Sequence, residues 1–255
     1  MAAPTPIDRA ELDFDNGSFD SYGFAAKALS SQAELAAVID HTLQKPETTR
    51  IAIVTLCDEA AEHRFACVMV NPIWAATAVA RLAGTGIPVG VAINFPHGAS
   101  LVSTLRHETA ALARLGAREM DMVMPIGQLK SGNYQAVRHT IHAVATVARH
   151  HGAVLKVVLE TALLNMEEKL RAAEIAIDAG ADFIKTSSGF AASGATVADV
   201  ALMRGVAGGR CGVKASDGIG TLADVKAMLE AGANRIGSSA SLAILREMEK
   251  TGIRD

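Results

Sequence analysis

Residues 181–190 read ADFIKTSSGF and residues 211–220 read CGVKASDGIG. Each stretch carries a short apolar run with the length and composition of a buried strand, and each run meets a lysine, Lys185 in the first and Lys214 in the second. The two lysines are 29 positions apart, about one strand–helix–strand unit. In a parallel barrel that spacing puts them on neighbouring strands, at the same end, facing one cavity. Lysines are rarely buried without a partner. Two that share a pocket repel each other, so one is expected to lose its proton near neutral pH and become a nucleophilic amine, as Schiff-base chemistry requires.

The same rhythm extends through the chain from residue 31. Strand-like runs occur at 37–43, 65–70, 87–94, 119–124, 154–160, 182–186, 211–215 and 234–238. Amphipathic stretches such as MEEKLRAAEIAIDAG and TLADVKAMLEAGA lie between them. Many of these end in glycine just before the next strand, as at Gly116, Gly180 and Gly232, and Thr161, Thr196 and Thr221 stand where a hydroxyl can cap a helix start. Eight strands alternating with helices predict an α/β fold, a (β/α)8 TIM barrel. A doubly wound open sheet is the competing architecture, but IDHTLQKP after the first strand is no glycine-rich fingerprint. Residues 1–30 are acidic and dotted with Gly and Ser, and they read as an N-terminal extension, either mobile or packed on a partner subunit through Phe14, Phe19, Tyr22 and Phe24. Residues 31–255 are the barrel domain.

Composition narrows the function. Half of the 255 residues are apolar and only 4% aromatic, so the core is aliphatic. A net charge of −3 makes no case for nucleic acid or an anionic membrane as a partner; a small-molecule substrate is expected. No apolar run is long enough to span a membrane, and the N-terminus shows no signal-peptide pattern. Cys57, Cys67 and Cys211 are scattered, which suits a reducing compartment, and a cytoplasmic location is expected. Pairing through outer helices predicts a homo-oligomer, a dimer.

The C-terminal strand ends, where barrel active sites lie, collect polar residues: Asp40 and Thr42, Asn71, Asn94, Asp121, Lys156 and Glu160, Lys185 and Thr186, Lys214, and Gly237 to Ser239. Lys156 is expected to pair with Glu160. His41 and His97 lie nearer the mouth, but no third ligand stands at suitable spacing, so no metal site is expected.

The segments IDHTLQKP, INFPHGA, MDMVMPIGQLKSGNY, LKVVLETALL, AGADFIKTSSGF and EAGANRIGSS, in this order from about residue 37 to 245, resemble the class I deoxyribose-phosphate aldolase family. The resemblance implies reversible cleavage of 2-deoxyribose 5-phosphate to acetaldehyde and glyceraldehyde 3-phosphate, with no cofactor. By motif match Lys185 is the Schiff-base lysine, Lys214 the neighbour that perturbs it, and Asp121 the acid/base acting through a water. Asp40 and Thr42 match positions near the substrate hydroxyls. Thr186, Gly189, Gly218, Gly237, Ser238 and Ser239 fall in the substrate- and phosphate-binding segments. The departures are local. Asp217 replaces a glycine of the family's phosphate loop, Gly220 an arginine and Ala240 a serine, which opens the alternative of a non-phosphorylated substrate. Met69 stands where the family often has a cysteine. The rivals are a metal-dependent lyase or phosphosugar isomerase on the same barrel, and a catalytically silent barrel with a binding role; the joint presence of Lys185, Lys214 and Asp121 speaks against the last.

Overall fold

Strand alternation gives every barrel strand an inner and an outer face, and here the two faces carry opposite chemistry. A computed structural model describes residues 19–251. Its strands are β1 (Ile39–Leu43), β2 (Cys67–Val70), β3 (Val89–Ile93), β4 (Glu119–Val123), β5 (Val154–Val158), β6 (Phe183–Lys185), β7 (Gly212–Ser216) and β8 (Arg235–Ser238). All pair in parallel in sequence order, and β8 closes on β1 through Ile39 opposite Ile236 and Asp40 opposite Gly237. The closed (β/α)8 barrel matches the sequence expectation, each of its strands falling within the expected run or one residue beyond it.

Ile39, Val68, Val70, Val91, Met120, Leu155, Val157, Ile184, Val213 and Ile236 face outward into one aliphatic core with the buried sides of the helices. Those helices include α3 (Arg50–His63), α4 (Ala75–Arg81), α5 (Val102–Leu115), α6 (Ile126–Lys130), α7 (Tyr134–His150), α8 (Met166–Asp178), α9 (Val197–Ala207), α10 (Leu222–Glu230) and α11 (Ser241–Lys250). Thr196 and Thr221 cap α9 and α10 by accepting the Asp199 and Asp224 amides, as expected. Thr161 does not cap. It opens a short 3-10 turn, and Asn165 caps α8 instead, in a capping box with Glu168.

Before β1, α1 (Ser21–Ala28) and α2 (Gln32–Ala36) belong to the same packed body. Helix α1 lies on α10, and the Arg204 guanidinium sits 4.0 Å from the Phe19 ring centre, with Phe24 5.3 Å from Phe19. Phe19 and Phe24 thus have partners within their own chain, whereas Tyr22 is exposed; Phe14 lies outside the described residues. Among the described residues no helix is long and apolar enough to cross a membrane.

Candidate active site

Six of the eight strands carry ionic residues on their inner face. Position 40 of β1, 119 and 121 of β4, 156 of β5, 185 of β6, 214 of β7 and 235 of β8 alternate with the outward aliphatics, so each points into the barrel. Asp121 lies at the centre: its Oδ2 is 2.8 Å from both Lys185 Nζ and Lys214 Nζ, and its Oδ1 is 3.1 Å from Lys156 Nζ. Asp40 forms a second node, with Oδ2 2.5 Å from Lys214 Nζ and 2.9 Å from Lys156 Nζ, and Oδ1 2.7 Å from Arg235. At the floor Glu119 contacts Lys156 and Arg235. Gly237 makes room for this packing, because a Cβ there would come within 3.0 Å of Lys214 Cε.

Burial disfavours every one of these charges, and the partners decide the outcome. For Asp121 and Asp40 the surrounding cations outweigh burial and hold both carboxyls well below the usual carboxylate range. Burial opposes the ammonium of Lys156 too, but Asp121, Asp40 and Glu119 reverse that and raise its pKa. Lys185 goes the other way. Burial lowers its amine to about 8, with Lys214 and Lys156 pushing in the same direction against Asp121. Loss of its proton is thereby eased, whereas that of Lys156 is opposed.

Lys185 borders a cavity of about 410 Å³ at the C-terminal ends of the strands. Thr42, Gly189, Asp217, Gly218, Gly237, Ser238 and Ser239 line it with Lys185, and so do Lys45 and Phe190. Lys214, Asp121 and Asp40 lie beneath it, wholly buried. Asp40 is thus one layer below the wall where the substrate hydroxyls were expected, while Thr42 stays at the wall. Thr186 is also fully buried; its hydroxyl donates to the Ser216 carbonyl and accepts the Ser216 amide, tying β6 to β7. The Ser238 hydroxyl donates to the Ile219 carbonyl and accepts the Ala240 amide, which shapes the loop after β8.

Two readings of the sequence are corrected. Lys156 does not pair with Glu160, because four residues along a strand span about 13 Å. Glu160 has left β5 in a left-handed conformation (φ 56°), and its carboxylate accepts the Ser188 amide. His41 is not at the mouth: it faces outward from β1, Nε2 lies 2.9 Å from Glu59, and its ring stacks on Phe65. Glu119 and Arg235 were missed. The signal was present, since each stands two residues before an inward position, Asp121 and Gly237. Asp40, Cys67 and Glu119 offer three candidate metal-ligand atoms within 4.8 Å of one another, but Lys156 and Arg235 already hold the two carboxylates.

Asp217 takes a left-handed conformation (φ 71°), a region that favours glycine. Its carbonyl accepts the Ala195 amide at 3.0 Å, so the segment after Gly189 folds over it, and its carboxylate lies on the cavity wall near Gly189 and Gly194. Among the described residues it makes no ion pair.

A closed parallel barrel with buried lysines and carboxylates under a cavity at the C-terminal strand ends defines the class: a (β/α)8 barrel enzyme with an amine-centred site. The comparisons narrow it. A family model described as DeoC/LacD family aldolase matches residues 35–248. The deoxyribose-phosphate aldolase of Caldanaerobacter subterraneus subsp. tengcongensis is 47% identical over 228 residues, 89% of this chain and 99% of that protein. That of Halalkalibacterium halodurans is 48% identical over 219 residues, 86% of this chain and 97% of that protein. Among solved structures, the deoxyribose phosphate aldolase from Aeropyrum pernix, described as tetrameric, superposes with a TM-score of 0.84 at 28% identity, covering 91% of this chain and 98% of that one. The chain belongs to the DeoC/LacD family of aldolases and is a lyase.

Proposed function

We propose that the protein is a Schiff-base aldolase that reversibly cleaves 2-deoxyribose 5-phosphate to acetaldehyde and glyceraldehyde 3-phosphate. The observation that carries this reading is the Lys185 amine, brought down to about 8, 2.8 Å from Asp121 and open to the cavity. The neutral amine attacks C1 of the open-chain aldehyde, and loss of water leaves an iminium. Asp121 takes the proton of the C3 hydroxyl through a water. The C2–C3 bond breaks, its electron pair flows into the iminium, and glyceraldehyde 3-phosphate departs. The proton returns to C2 of the enamine, and water then releases acetaldehyde and restores Lys185. Lys214, paired with Asp121 and Asp40, keeps the carboxylates in place and adds positive charge beside the amine. The loops after β6, β7 and β8, through Gly189, Gly218 and Ser239, receive the distal phosphate.

Borohydride reduction in the presence of acetaldehyde tests the chemistry: it should trap an ethyl adduct on the peptide holding Lys185, and turnover should survive a chelator. An enzyme that shows no adduct and loses activity to the chelator is the metal-dependent lyase instead. Asp217 favours a second reading of the substrate, since a wall carboxylate without an ion-pair partner repels a phosphate dianion and accepts a terminal hydroxyl. Activity on 2-deoxyribose equal to that on its 5-phosphate ester supports that reading.

The assembly in this proposal is a homo-oligomer, supported by the exposed apolar side chains Leu163, Met166 and Leu170 around the start of α8 and testable by light scattering. Three buried free thiols, Cys57, Cys67 and Cys211, accord with a cytoplasmic protein.

A further inference from the structure

The ion pairs inside the barrel form one connected network with unequal numbers of charges. Among the described residues its cations are Lys156, Lys185, Lys214 and Arg235, and its anions are Asp40, Glu119 and Asp121. A buried charge without a counter-charge is strongly disfavoured, and release of one lysine proton relieves it. Lys185 is where that relief falls. It touches one carboxylate, whereas Lys156 touches three and Lys214 and Arg235 two each. It also borders the cavity, through which a proton reaches water.

Glu119 and Arg235 take part in the count without taking part in the chemistry. They are the first residues of β4 and β8, at the floor of the barrel, and neither lines the cavity. The groups that face them are Asp40 from β1, Cys67 from β2, Lys156 from β5 and the Phe183 ring from β6. Burial, with Glu119 and Asp40 beside it, raises the Cys67 thiol well above its ordinary value, so it adds no charge. The groups that face Lys185 are Asp121 from β4, Lys156 from β5 and Lys214 from β7, with Lys45, Glu47 and Asp217 on the walls of the cavity it borders.

We propose that Glu119 and Arg235 are opposed positioning residues: the Arg235 charge adds to the cations around Lys185 and favours its free amine, the Glu119 charge offsets it, and in balance they leave the barrel interior with one surplus positive charge. The proposal rests on Lys185 being the nucleophile. Glu119→Gln leaves two surplus charges, so Lys185 sheds its proton more easily and the acid limb of kcat/KM against pH moves down by about one unit. Arg235→Met leaves none, and the limb moves up by about as much. Lys156→Met, another loss of one positive charge, shares the upward sign. The double variant Glu119→Gln/Arg235→Met restores the surplus and returns the limb to within a few tenths of a unit of wild type.

Any one single variant that folds is informative, because each has a stated direction of shift. A merely structural role lowers activity and Tm in all of them without opposite shifts. Unmoved limbs, or the same direction for Glu119→Gln and Arg235→Met, overturn the proposal. Borohydride trapping of wild type separates the two readings. An adduct on Lys185 with unmoved limbs sinks this inference alone, whereas no adduct on Lys185 sinks the nucleophile assignment and this inference with it.

Discussion

Leu155 and Lys156 are neighbours on β5, and both are almost wholly buried, yet they lie in two different media. Leu155 faces outward into aliphatic side chains under the helices. Lys156 faces inward to Asp40, Glu119 and Asp121. The outer layer holds the barrel closed by burying apolar surface, which is non-directional and tolerant of shape. The inner layer contributes far less certainly to stability, because buried ion pairs must recover a large desolvation cost. Its arrangement instead sets the charge around each lysine, and it leaves Lys185 with a lowered proton affinity. One strand thus serves stability on one face and chemistry on the other.

The largest expected effect lies on the inner face. Lys185→Ala should reduce retro-aldol turnover by at least about 10⁴-fold, since no other group there forms the iminium. A residual rate within tenfold of wild type in a steady-state assay ends the assignment. Asp121→Asn should cost about 10²–10⁴-fold in kcat, the usual range for a lost acid–base group; single-turnover measurement checks that the fall is in bond cleavage rather than in binding.

The outer face should respond in stability alone. Leu155→Ala should lower the unfolding free energy by about 2–5 kcal/mol while leaving kcat of the folded enzyme near wild type, which urea unfolding and assay below the transition decide together. The same measurements on Lys185→Met sharpen the contrast. With a folded value of about 8 against 10.5 for an ordinary lysine, native Lys185 binds fewer protons than the unfolded chain between those values. Wild-type stability attributable to this group therefore rises as pH goes from 8 to 10.5 and is penalised below 8. Lys185→Met should be more stable than wild type at pH 7, by on the order of 3 kcal/mol, with the advantage fading toward pH 10.5. A constant difference across that range contradicts it.

Smaller effects are expected at the rim and the inner wall. Asp217→Gly should raise the ratio of kcat/KM for 2-deoxyribose 5-phosphate over 2-deoxyribose about tenfold, by removing a like charge and relieving a left-handed backbone. An unchanged ratio means that the carboxylate does not meet the ligand. Met69, fully buried with Sδ 3.9 Å from Lys156 Nζ, cannot add to an unsaturated aldehyde as a thiolate can. Activity should therefore persist after incubation in concentrated acetaldehyde; rapid loss indicates another reactive group.

Much of the architecture is written locally. The apolar runs, the capping threonines 196 and 221 and the closing glycines all act within a few residues, so the sequence shows eight strands with helices between them. The two lysines were legible for the same reason, each sitting at or near the end of a short strand. Lys156 was assigned to Glu160 because sequence nearness suggested it, whereas its partners come from β1 and β4. His41 was read as lying nearer the mouth, but the alternation that turns its neighbours Asp40 and Thr42 in turns His41 out.

The sequence alone determined the class of fold, the strand runs that hold the charges of the inner network and the resemblance to an aldolase family, because period-two alternation and short apolar runs are properties of neighbouring residues. Only the tertiary structure decided which charges meet. Asp40 and Lys214 are 174 positions apart and Asp40 and Arg235 are 195 apart, and both pairs form because the eighth strand returns to the first. The lowered proton affinity of Lys185 follows from that closure, since it depends on every charge the barrel brings inside.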